Sequence, residues 1–375
     1  LAKLALFMLP VAIPFLLVTG GLVYIGESMP LQEVIRLQEG DWGVLFRPAY
    51  GNRDQDFKLM STNARDPEIL IIGSSRVLQF RGQLANLNPD TLYNAAAPAW
   101  ELEEVSRLLF TMETTPEVII LGIDYPWFND DYPGDPIVEP PTNWWSRLFV
   151  VNRSYLQEVI AGDEFDYETI LNRDEPGGSG GLALGLRAIR DGHGFRNDGS
   201  EQYGDFLVAG HLWQPNLRGH HMGLFESGQE MYFRGDIVSE TAMGQLETIL
   251  EFSQENDILV VGMLPPYMPT LWTELSVSDA HAYIPQTQVA IESLFADYEY
   301  PLFDFSDVSE LGFTDEDFFD GWHHSEKVSI QLYIEMANEI ADLAQYSDLD
   351  ALQQIVDTAP DTFAVLPFVA PNPTQ

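Results

Sequence analysis

Glu68-Ile69-Leu70-Ile71-Ile72-Gly73-Ser74-Ser75-Arg76 decides how this chain is read. Four aliphatic residues, three of them β-branched, run into a glycine and two serines, which is the pattern of a strand buried on both faces that stops in a tight turn. Apolar runs of the same kind recur at 91–93, 117–123, 258–264 and 301–305. Between them, apolar residues at helical spacing predict helices over 101–112, 239–254, 284–295 and 326–344. Strand alternating with helix points to an open parallel sheet covered on both faces, and such sheets bind ligands beyond the C-terminal ends of their strands. Ser74 and Ser75 stand at that edge.

A serine hydroxyl is a weak nucleophile at neutral pH and needs a base within hydrogen-bond reach, itself oriented by a carboxylate. Phe318-Phe319-Asp320-Gly321-Trp322-His323-His324-Ser325 follows the last strand and precedes the last helix. An Asp and a His three apart on a loop can converge on one point, Asp320 holding the imidazole and His323 facing the serine. His324, next to that base, is read as a cap or a solvent-facing residue.

Taken together, these segments resemble the SGNH (GDSL-like) hydrolase and acyltransferase superfamily. Gly73-Ser74-Ser75 stands where that family has Gly-Asp-Ser, which implies Ser75 as nucleophile, with Ser74 the alternative. Asp320-Gly321-Trp322-His323 is similar to the family's Asp-x-x-His block. Tyr93-Asn94-Ala95-Ala96-Ala97-Pro98-Ala99 is similar to its second block, which implies that the backbone N–H groups of Ala99 and Ser75 bind the oxyanion. Leu121-Gly122-Ile123-Asp124 is similar to the third block, with Asp124 in place of the Asn that donates to the oxyanion. An ionised carboxylate cannot donate, and losing one such donor costs about 100-fold to 1000-fold in rate. Asp124, Ser74 and Arg76 are expected in the wall of the site. The resemblance covers 66–125 and 238–345, and it implies a three-layer α/β sandwich around a flavodoxin-like open parallel sheet.

The domain carrying these motifs is expected to span 66–345. Within it, 126–237 breaks the strand and helix rhythm with Pro, Gly and aromatic residues, Glu175-Pro176-Gly177-Gly178-Ser179-Gly180-Gly181 among them, and reads as an insertion over the C-terminal edge of the sheet. Residues 4–25 form 22 residues without a charge, about 33 Å as a helix at roughly 1.5 Å per residue, which matches a bilayer core. Residues 1–26 are therefore expected to be a retained transmembrane anchor, single-pass, with Lys3 on the cytoplasmic side and the body extracytoplasmic. Residues 27–65, with a helix at 31–38, read as a stalk or collar. The acidic, then Pro-rich tail at 346–375 is expected to lie against a neighbour or to be mobile.

The chain of 375 residues is 45% hydrophobic, enough to bury a large core. Its 58 acidic and 18 basic residues leave a net charge of −40, which nucleic acid would repel. Lysine appears only at Lys3, Lys58 and Lys327, a bias that suits a salty medium or an acidic exterior. The lack of cysteine removes disulfides, iron–sulfur clusters, Cys-bound zinc and thiol nucleophiles. No cofactor is expected, and no metal: His211, His220 and His221 stand in a stretch read as extended, where neighbours point to opposite faces. Arg190, Arg196 and Tyr203 are weighed as cleft residues, Trp144, Trp145, Trp213 and Trp272 as sugar-stacking rings, and Leu264-Pro265-Pro266-Tyr267 as a cleft wall. Asn152-Arg153-Ser154 is a glycosylation sequon.

The expected function is that of a membrane-anchored SGNH-type serine esterase or O-acyltransferase on acyl esters of a cell-envelope glycan, or on a small ester. The alternative is a catalytically weak or inactive SGNH scaffold whose partners are membrane proteins.

Overall fold

The computed structural model describes residues 2–40, 43–50, 53–99, 101–132, 144–161, 181–204 and 217–367. The chain divides into two compact units, one of 54–136, 198–200 and 209–375, the other of 1–53, 137–197 and 201–208.

The larger unit is α/β. Its five strands are β1 (Ile69–Ile72), β2 (Leu92–Asn94), β3 (Val118–Gly122), β4 (Leu259–Leu264) and β5 (Leu302–Asp304). They lie in the order β2-β1-β3-β4-β5, and each neighbouring pair is parallel. Every residue of β1, β2 and β3 is buried, so both faces of the sheet are covered and the strands read as near-continuous apolar runs. The chain steps from β1 to one side to form β2 and then to the other to form β3. The connections therefore part at the C-terminal ends of β1 and β3, the place where ligands bind in sheets of this order.

The longer helices of this unit are α1 (Asp54–Arg65), α2 (Leu102–Thr111), α3 (Leu217–Ser227), α4 (Glu240–Glu255), α5 (Tyr283–Asp297), α6 (Glu326–Glu339) and α7 (Leu349–Thr358). Their starts are set locally. Glu101 and Glu104 form a capping box on α2, while Ser239, Ser325 and Asp348 cap α4, α6 and α7 through the N–H groups of Ala242, Val328 and Ala351. Each such cap stabilises its helix by about 1 kcal/mol.

The expected helix at 326–344 stops at Glu339, because Ile340 takes an extended conformation before a short turn at Ala341–Ala344. Residues 54–65, expected in a stalk, form α1 and bury Phe57, Lys58, Ser61 and Thr62 within the larger unit. The tail, expected to meet a neighbour or to move, is bound to its own chain as far as Pro367. Leu352 and Val356 of α7 are buried, and the Arg81 guanidinium donates to the Pro367 carbonyl at 2.7 Å and to Glu326 at 2.5 Å.

The smaller unit holds a mixed sheet of Leu182–Leu184, Val44–Phe46, His193–Phe195 and Glu201–Tyr203, the first pair parallel and the other pairs antiparallel. The stretch 27–53 is thus no stalk: it supplies a central strand whose partners come from the expected insertion. Glu27 fixes the corner, its buried carboxylate accepting the N–H groups of Ala49, Tyr50 and Leu186. The insertion is likewise not one piece, since 126–136, 198–200 and 209–237 belong to the larger unit.

Two long helices complete the smaller unit, Ala2–Tyr24 and Trp144–Ala161, which share a cluster of Leu22, Ile25, Val151, Tyr155 and Leu186. Among the described residues no helix is long and apolar enough to cross a membrane. The side chains of Leu4, Leu6, Met8, Val11 and Pro14, on which the anchor reading rests, lie outside them. Asn152 is a poor glycan acceptor, being 2% exposed and bonded to the Leu148 carbonyl and to Thr19.

Candidate active site

The turn after β1 is built to present one serine and hide the other. Gly73 adopts φ +149°, and a Cβ there would stand 3.0 Å from the Gly122 carbonyl oxygen, so only glycine lets the turn pass this close to β3. Ser74 is 3% exposed and its Oγ accepts the Arg76 N–H at 3.2 Å, capping the short helical turn Ser75–Val77. Ser75, the first residue of that turn, is only partly buried. Asn94 ties this turn to the loop after β2 by donating to the Val77 and Phe80 carbonyls at 2.8 and 2.9 Å and accepting from Ala96 N at 3.0 Å.

The other half of the site folds around Asp320. One carboxylate oxygen accepts the backbone N–H groups of Trp322 and His323 at 2.6 and 2.7 Å, and the other lies 2.8 Å from His323 Nδ1. His323 Nε2 lies 2.8 Å from Ser75 Oγ. Serine, imidazole and carboxylate thus form one hydrogen-bonded line across 248 residues of chain. Burial would raise the Asp320 carboxyl, but the electrostatic pull of the His323 and His221 imidazoles and the bonds from His323 outweigh it and hold the group well below the usual carboxylate range. It is an anion whenever the imidazole needs one.

Asp124 and Arg76, expected in the wall, lie beneath the site instead. Their side chains are 3% and 0% exposed, and Arg76 Nη1 bonds Asp124 at 3.0 Å. Nη2 donates to the Pro265 and Pro266 carbonyls at 2.6 and 2.7 Å. The guanidinium also stacks over Tyr267 and Trp322, 4.2 and 4.3 Å from the ring centroids. Asp124 is therefore no oxyanion donor, and its charge is offset where it stands. Ala99 lies on the loop after β2, partly buried, its carbonyl accepting Trp127 Nε1 at 3.4 Å. Behind it a cavity of about 20 Å³, roughly one water, is lined by Gly73, Ala95, Ala97, Ala99 and Glu104.

Several side chains weighed in the sequence serve elsewhere. His324 is 1% exposed rather than solvent-facing, with neither ring nitrogen hydrogen-bonded and the rings of Phe80 and Phe318 against it edge-on. Arg196 donates to the Glu201 carbonyl, and Arg190 stands 3.8 Å from Glu158. Trp272 stacks with Tyr125 and Tyr267, Trp145 is exposed, and His211, Trp213 and the Trp144 side chain lie outside the described residues.

His221, expected on an extended segment, is instead helical. It lies on α3, 3.6 Å from Asp320. Its signal was available: Leu217, His221, Leu224 and Phe225 have helical spacing. Among the described residues no group of three or more His, Cys, Asp or Glu could hold a metal ion. Compared with known proteins, the chain matches no family model, no curated protein and no solved structure.

Proposed function

We propose that this chain is a membrane-anchored SGNH-type serine esterase or O-acyltransferase, its catalytic body extracytoplasmic, acting on acyl esters of a cell-envelope glycan. The observation that carries the reading is the Ser75–His323–Asp320 line at the C-terminal edge of a parallel sheet. The strand order adds support, because it is the doubly wound order in which ligands bind between the first and third strands. The substrate class and the anchor rest on the uncharged run of 22 residues at 4–25, long enough for a bilayer core.

In this mechanism His323 Nε2 takes the proton of Ser75 as Oγ attacks the ester carbonyl. Asp320 stabilises the imidazolium and keeps its ring turned to the serine. The N–H groups of Ser75 and Ala99 receive the oxyanion. On collapse His323 returns the proton to the departing alcohol, leaving an acyl group on Ser75. Water as the second acceptor gives the free acid; a glycan hydroxyl gives transfer.

A second reading, a weakly active or inactive scaffold with membrane-protein partners, draws on one feature. Asp124 occupies the place of a side-chain donor and is committed to Arg76. Fluorophosphonate labelling of the intact protein separates the two. Labelling that is lost in Ser75→Ala and kept in Ser74→Ala is the expected result, whereas a folded wild type that takes no label supports the scaffold.

A further inference from the structure

We propose that His221 is a positioning residue for the triad, a second imidazole on the Asp320 carboxylate that decides how much of that carboxylate His323 receives. The inference rests on the esterase reading and adds to it a residue outside the four motifs.

The geometry is specific. His221 Nε2 lies 3.6 Å from Asp320 Oδ2, the same oxygen that faces His323 Nδ1 at 2.8 Å. His221 Nδ1 lies 2.9 Å from the Tyr232 hydroxyl, and the Tyr232 ring packs edge-on against Trp322, the residue before the base. Helix α3 is also tied to the loop by Arg218, which donates to the Phe318 carbonyl at 3.1 and 3.0 Å and pairs with Glu316 at 2.9 Å. Gly321 makes room for this approach, since a Cβ there would meet His221 Cβ at 2.7 Å.

The chemistry follows from the tautomer. Were the proton on Nδ1, the Nε2 lone pair would face a carboxylate, which is repulsive. With Tyr232 O–H donating to Nδ1, His221 instead presents Nε2–H to Oδ2. Burial lowers the His221 pKa, Asp320 opposes that, and His323 and His220 lower it further, so the ring is neutral at pH 7. Asp320, His323, His220 and Tyr232 are the titratable groups that face it. At 3.6 Å the neutral N–H is a dipole aimed at Oδ2 and not a full hydrogen bond. Its positive end offsets part of the charge that stabilises the His323 imidazolium, which keeps His323 less basic, while the Trp322 and His323 N–H groups hold the carboxylate's orientation.

Two readouts in the full-length protein test this. The first is the rate of fluorophosphonate labelling of Ser75 as a function of pH. In His221→Phe the acid limb should move to higher pH and the plateau rate should fall roughly 10-fold to 100-fold, the scale of a small misplacement. His221→Gln, which keeps an N–H, should restore most of both, and Tyr232→Phe should shift the limb in the same direction without emptying the site. An acid limb that stays at its wild-type pH in all folded variants overturns the proposal, because a merely structural residue would change the folded fraction and leave the limb in place.

The second readout needs no turnover: the NMR resonance of the proton between His323 Nδ1 and Asp320. It should move downfield in His221→Phe, stay close to its wild-type position in His221→Gln, and move in the same direction as His221→Phe in Tyr232→Phe. An unchanged resonance sinks the role of His221 whatever the labelling shows. A wild type that takes no label while this resonance responds sinks only the esterase reading.

Discussion

His324 shows how far one buried side chain can set a property of the whole fold. Burial, the Arg76 charge and the neighbouring His323 push its pKa down to about 3 from an ordinary 6.5. Between those two pH values the unfolded chain binds a proton that the folded chain refuses, so stability falls as the pH drops through that window, by about 1.4 kcal/mol per pH unit. Above pH 6.5 neither state carries the proton and the slope vanishes. His324→Phe, in a pocket already lined by Phe80 and Phe318, should flatten that part of the acid dependence. Urea denaturation at pH 7.5 and at pH 5, for wild type and variant, measures it; equal losses in both proteins would rule His324 out as the cause. Sequence could place His324 on the loop but could not show its burial, because a histidine between His323 and Ser325 reads equally well as surface or core.

At the scale of elements, the site is a meeting of loops pinned by one cation. Arg76 leaves the turn after β1 and bonds Asp124 after β3 and the two proline carbonyls after β4, and it touches Trp322 on the loop before α6. Four separate connections thereby share a single guanidinium. Arg76→Met leaves Asp124 buried without its charge partner and should cost about 3–5 kcal/mol, whereas Arg76→Met combined with Asp124→Leu should recover much of the loss. Chemical denaturation of the single and double variants gives the comparison; a double variant no better than the single would mean that the carbonyl and ring contacts, not the ion pair, dominate. The motifs at each strand end were legible because turn chemistry is local. The pin was not, because Asp124 reads as a substitution for a donor until Arg76 is seen against it.

The whole molecule carries a net charge of −40, and compactness brings those charges together. Screening should therefore stabilise it: the melting temperature should rise from low salt towards about 1 M NaCl, where the Debye length is about 3 Å. Thermal unfolding followed by circular dichroism tests this, and a falling melting temperature would show that local ion pairs such as Arg81–Glu326 outweigh the general repulsion. The amino-acid sequence by itself determined the five apolar strands, the helices between them and the two loops bearing Ser75 and Asp320-Gly321-Trp322-His323, because burial on both faces, helical periodicity and turn residues each act over a few neighbours. Only the tertiary structure decided that 27–53 is a sheet strand's home rather than a stalk, that Asp124 lies beneath the site and not in its wall, and that His221 reaches Asp320. Those outcomes depend on contacts between residues tens to hundreds of positions apart, for which local pattern carries no signal.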